Sequence, residues 1–145
     1  MYVARIVADA RSRRSTSGGN TSRIPRGGAG SFSLSGANLR FDSSVSAGQH
    51  ITDTSADALI LEQAQSFAAA IRGFGTGDTI DAANFHPLTT TQNFVENIAG
   101  TGGTLTLTDT SQSNLTANIQ MTGVYTTTDF SLVADSGTGT LVKFV

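Results

Sequence analysis

Residues 104–109 read TLTLTD and residues 114–121 read NLTANIQM. Alternation of apolar and polar side chains is the two-residue period of a strand with one buried and one wet face. The intervening residues 110–113 are short and polar, which suits a reversal of the chain. A β-hairpin is therefore expected here, with Leu105 and Leu107 facing the same side as Leu115, Ala117, Ile119 and Met121.

The same period recurs elsewhere. In residues 31–41, SFSLSGANLRF, Phe32 and Leu34 alternate with serine and Leu39 and Phe41 flank Arg40, with a bend expected at 36–38. Residues 78–82, DTIDA, make a short strand with Ile80 inward, after a glycine-rich turn at 73–77. Residues 84–92 contain Pro87 and a threonine triplet and read as a loop, and 100–103 as a turn. Residues 127–130 suit one capped helical turn. Residues 135–139 turn the chain into a final strand at 140–145, TLVKFV. The contested stretch is 57–72: Ile60, Ala64, Phe67 and Ile71 fall at helical spacing, while 58–62 is a brief apolar run too short for a helix by itself and Phe67, Ala69 and Ile71 in 66–74 also alternate as in a strand. Short strands recurring at close intervals, broken by Gly, Asn, Asp and Ser, predict an all-β domain. Their rung-like spacing favours a stacked-strand solenoid, β-helix-like, with the terminal hairpin as its cap; a β-sandwich is the alternative.

Composition supports this. The 145 residues include 21 Thr, 16 Ser and 16 Gly, all poor helix formers, and only 14% are charged. The absence of cysteine excludes a disulfide framework, a thiolate zinc site and a cysteine nucleophile. The net charge of −2 hides an asymmetry: residues 1–26 hold six arginines against Asp9, a charge of +5, and the rest of the chain carries −7. Residues 11–30 have no apolar periodicity. Residues 1–30 are accordingly read as a disordered basic leader and 31–145 as a single β-rich domain. An arginine arm admits nucleic-acid contact, but Tyr2 is its only aromatic platform, so a solvated leader is preferred. Arg5 and Asp9 interrupt any apolar core of an N-terminal signal peptide, and no run is long enough for a transmembrane helix.

The chemical motifs are sparse. Residues 73–81, GFGTGDTID, resemble a calcium nonapeptide, yet Phe74 and Thr76 stand where glycines belong and only one copy exists. The expectation is a plain turn, with Asp78 and Asp81 on opposite strand faces. His50 and His86 have no Ser or carboxylate partner by spacing, and there is no G-x-S-x-G elbow. Gly18-Gly19 and Gly27-Gly28 are not followed by the Lys-Ser/Thr of a phosphate loop. The threonines of 104–108 and 126–128 are read as solvated surface, and the sequons at Asn20 and Asn114 as chance matches. No catalytic, cofactor-binding or metal-binding residue is assigned, and no cofactor is expected.

From Ala58 to the C-terminus the chain resembles a C-terminal β-rich module of large secreted, adhesin-like surface proteins of Alphaproteobacteria, of the rhizobial type. The residues that carry the likeness are SFAAAIRGF at 66–74, GTGDTID at 75–81, GTLTLTD at 103–109, ANI at 117–119, GVYTTTDF at 123–130 and GTLVKF at 139–144. The resemblance implies a β-helical or adhesin-like setting, outside the cell or at its surface, reached by export without an N-terminal signal. The expected function is a non-catalytic structural or interaction module, with a surface glycan or a protein as the kind of partner. A nucleic-acid-binding or regulatory protein using the arginine arm is the alternative, and a hydrolase the third reading. The expected core includes Leu105, Leu107, Ile119, Leu132, Leu141 and Phe144. The last strand is expected beside 104–109 or 114–121.

Overall fold

The computed structural model describes residues 3–6, 30–36, 38–54 and 56–145. The remainder of the basic leader, with its arginines and paired glycines, lies outside the described residues. Among the described residues, twelve strands occur in chain order: β1 (Val3–Ile6), β2 (Gly30–Leu34), β3 (Asn38–Phe41), β4 (Gln49–Asp53), β5 (Ala58–Leu61), β6 (Ala70–Arg72), β7 (Thr79–Ala82), β8 (Thr90–Glu96), β9 (Gly102–Asp109), β10 (Leu115–Thr122), β11 (Phe130–Ala134) and β12 (Thr140–Phe144). Single 3₁₀ turns stand at Ala64–Ser66, Thr110–Gln112 and Thr127–Asp129. Val3–Ile6 is thus a strand within the segment expected to be disordered, and Gly30 opens β2 one residue ahead of the expected domain start.

The chain is all-β, with two mixed six-stranded sheets, neither of them closed. One sheet runs β1-β3-β5-β7-β12-β11 and the other β2-β4-β6-β10-β9-β8. From β2 to β7 the chain alternates between the sheets, so strands adjacent in sequence are never paired. Phe32 and Leu34 enter one sheet and Leu39 and Phe41 the other. Pairing is instead parallel and long-range: Gly30 with Gln49, His50 with Ala70, Asn38 with Ala58 and Ala58 with Thr79. Nearly the same length of chain separates the partners each time. The last strands of each sheet are antiparallel, β8-β9-β10 in one and β7-β12-β11 in the other.

Register lines up the inward side chains in rows. Leu39, Leu59, Ile80 and Val142 form one, and Ile51, Ile71 and Met121 another. With Leu105, Leu107, Ala117 and Ile119 they belong to a single core shared by both sheets. Burial of this apolar area is the dominant stabilising term. At one end Phe74, Phe94, Tyr125, Phe130 and Phe144 pack with ring centroids 5.6–6.5 Å apart.

The contested stretch resolves as β5, one 3₁₀ turn and β6, without the rival helix. Short separate strands let Leu59, Leu61, Phe67 and Ile71 all reach the core, each 3% exposed or less. The expected hairpin is β9 and β10, with Leu105 opposite Ile119 and Leu107 opposite Ala117. Two expectations need correction. The loop at 84–92 ends where β8 begins, because Thr90 and Phe94 turn inward. The final strand pairs with β7 and β11, not with β9 or β10, and its buried residues are Thr140 and Val142. Leu141, of opposite parity, is half-buried on the outer side, while Leu132 and Phe144 pack partly buried against the core.

Candidate functional site

Three polar arrangements stand out from the apolar framework. The first gathers at the end of β9. Asp109 is fully buried and accepts hydrogen bonds from the backbone N–H of His86 (2.9 Å) and Ser111 (2.9 Å), the hydroxyls of Thr89 (2.6 Å) and Ser111 (2.7 Å), and Nε2 of Gln112 (2.8 Å). Burial alone would raise its pKa. The donors from Gln112, Thr89, His86 and Ser111 outweigh burial and hold the carboxyl well below the usual range. Asp109 is therefore ionised and accepts only.

The structure thus brings together Ser111, His86 and Asp109, which sequence spacing left apart. Their geometry is not that of a hydrolytic triad. His86 Nδ1 lies 2.9 Å from Asp109 Oδ2, so the ring proton sits on Nδ1. Ser111 Oγ approaches that same nitrogen at 3.1 Å and gives its own proton to Asp109. A catalytic serine meets the opposite ring nitrogen, free to take its proton. Ser111 has no base here. The cluster is a polar clasp that closes the β9–β10 connection over the segment leading into β8. Ser113 and Asn114, in left-handed conformation (φ 54° and 59°), complete that connection. No sequence signal pointed to it, because it forms only once β8 lies against β9.

The second arrangement stacks two corner turns. Asp57 precedes β5 and Asp78 precedes β7, and both are buried. Asp78 accepts from the N–H of Asp57 (2.9 Å) through Oδ1 and from that of Gly75 (2.8 Å) through Oδ2. Asp57 Oδ2 accepts from the N–H of Thr54 (3.3 Å). Asp53, 5% exposed at the end of β4, completes the group, and its Oδ1 has no hydrogen-bond partner. Burial, then Asp78 and Asp57, push its carboxyl up to about 7. Gly73, at φ 83°, passes so close to the carbonyl of Asp53 that no side chain fits. The glycines and Asp78 of the nonapeptide-like segment thus shape a turn. That turn has a neighbour, the turn before β5, and the matching placement of DALIL and DTIDA was its sequence signal. Among the described residues, no group of three or more His, Asp or Glu is placed to hold a metal ion. Asp81 belongs to a separate outer group, where burial and the charges of Asp135 and Glu62 push it up to about 6 against the pull of Arg40.

The third arrangement is the outward face of β8-β9-β10. Thr106 donates to Asn118 Oδ1 at 2.9 Å and Thr104 to Gln120 Oε1 at 3.3 Å. The alternate positions of these strands carry Thr, Asn and Gln with Val95 and no charged side chain. His50 is exposed on β4, away from His86. The threonines of 126–128 are structural: Thr126 and Asp129 form a capping box, and Thr127 bonds the backbone of Phe94 on the edge of β8. Gln92 Nε2 donates to the carbonyl of Phe130, linking the edge strands of the two sheets.

The described residues contain no helix long and apolar enough to cross a membrane. No protein-family model matches the chain, and a search of curated proteins finds no match.

Proposed function

We propose that the chain is a non-catalytic structural or interaction module of a secreted or surface-associated bacterial protein, built as a stacked-strand solenoid whose last strands form a cap. The observation that carries the reading is the outward face of β8-β9-β10, where hydroxyl and amide groups stand in regular rows without charge. Such a face offers hydrogen bonds to a glycan or to a neighbouring protein surface and demands no desolvation of ions. The solenoid reading is supported by parallel partners at a near-constant separation in sequence, on strands that alternate between two sheets. The surface setting rests on the resemblance of residues 58–145 to adhesin-like modules. Against a hydrolase stands the commitment of the Ser111 proton to Asp109.

The test is protease treatment of intact bacterial cells that carry the protein, read with an antibody to it. Cleavage before lysis, or recovery from the medium, is expected. Protection until lysis overturns the surface assignment. Retention on heparin with release at rising salt would favour the arginine-arm alternative, because phosphate-type contacts weaken steeply with salt.

A further inference from the structure

Asp53 and Asp57 bracket the turn between β4 and β5, Asp78 precedes β7, and all three are buried. Asp78 accepts hydrogen bonds from two backbone N–H groups, and Asp57 accepts one from Thr54. Asp53 differs, because Oδ1 is buried without a partner. An ionised oxygen in that position loses its hydration and faces two like charges. Of the other packed segments, the one leading into the turn at Thr127–Asp129 presents the Tyr125 phenol, which donates to the carbonyl of Phe74 at 3.0 Å. The charges of Asp53 and Asp78 reach that phenol. Among the described residues, no cation contributes to the shift of Asp53.

We propose that the folded protein holds a proton on Asp53, buried beside Asp57 and Asp78, so that the stacked corners tighten in mild acid and loosen as that proton leaves. Burial and the two aspartates raise Asp53 from its ordinary 3.8 to about 7. The stabilisation is therefore fully present below the unfolded value and is lost as pH rises through about 7. This inference is independent of the cellular location and of any surface ligand.

Carboxyl-carbon NMR of the whole chain between pH 4 and 9 reads the proton directly. A carboxyl of this group titrating above about pH 6 is expected; all three completing their titration below pH 5 would overturn the proposal. The second measurement is denaturant unfolding of the parent and Asp53→Asn at pH 5 and pH 8. The folded-to-unfolded ratio of the parent should fall at least about tenfold further than that of the variant. Equal falls in the two proteins overturn the proposal. If the variant fails to fold, the NMR titration of the parent decides.

Discussion

The backbone N–H of Asp57 donates to Oδ1 of Asp78 across 2.9 Å, joining two corner turns that are distant in the chain. The same carboxylate closes its own turn through the N–H of Gly75. One side chain thus fixes both the shape of a turn and its stacking on the next. Replacement by alanine leaves both N–H groups without this acceptor, at roughly 1–3 kcal/mol for each that stays buried. Asp78→Ala should lose about 3 kcal/mol in denaturant unfolding, and Asp78→Asn, which keeps one acceptor oxygen, should lose less.

Gly73 supports the same corner from below. Its φ of 83° and the nearby carbonyl of Asp53 exclude a Cβ atom. Gly73→Ala should lower stability by about 2 kcal/mol or more, since backbone strain and close contact add. Thermal unfolding beside the parent measures this. A Tm within one degree or so would contradict the packing described.

The last strand distinguishes two neighbours of opposite parity. Val142 is fully buried between Ile80 and Leu132 in register, while Leu141 is half-buried on the outer face. Val142→Ala should cost about 2 kcal/mol through lost burial and the cavity left behind. Leu141→Ala should cost less than about 1 kcal/mol. Equilibrium unfolding of the two variants side by side checks the order.

Three carboxyls shape the acid response in opposite directions. Asp53 and Asp81 are raised, to about 7 and about 6. Their contribution is fully present below the unfolded value of 3.8 and is lost as pH rises through those values. Asp109 is lowered despite burial, so its contribution is present above its unfolded value and is lost as pH falls towards its folded one. Stability should peak in mild acid, decline towards pH 8, and decline again below about pH 4. A denaturant midpoint that rises steadily from pH 5 to pH 8 would contradict this balance.

Asp109 also holds the connection after β9. Asp109→Ala removes the acceptor for two backbone N–H groups and four side chains, and should cost about 3 kcal/mol. Ser111→Ala removes one exposed hydroxyl and should cost about 1 kcal/mol or less. Denaturant unfolding compares them. Near-equal losses would show that the clasp is not centred on the carboxylate.

The hairpin of β9 and β10 was legible in the sequence because strand period, turn and register are all contained within one short stretch of chain. Leu105, Leu107, Ala117 and Ile119 declare their inward face by alternation alone. The brief strand at Thr79–Ala82 was legible by the same alternation, and so was the capped turn at Thr127–Asp129, while Ala58–Leu61, apolar at every position, stayed open between strand and helix. Alternation states that a strand has two faces. It does not state which strand lies beside it. That choice belongs to the shared core, which sets Val142 beside Ile80, far back in the chain, and leaves Leu141 outside. The clasp at Asp109 required β8 to lie against β9, and the group of Asp53, Asp57 and Asp78 required strands distant in sequence to stack in parallel. Local pattern therefore determined the elements and most of their buried faces. Only tertiary packing decided the pairing and the polar groups it traps, because contacts distant in sequence are chosen by the core and hydrogen bonds that strands form together.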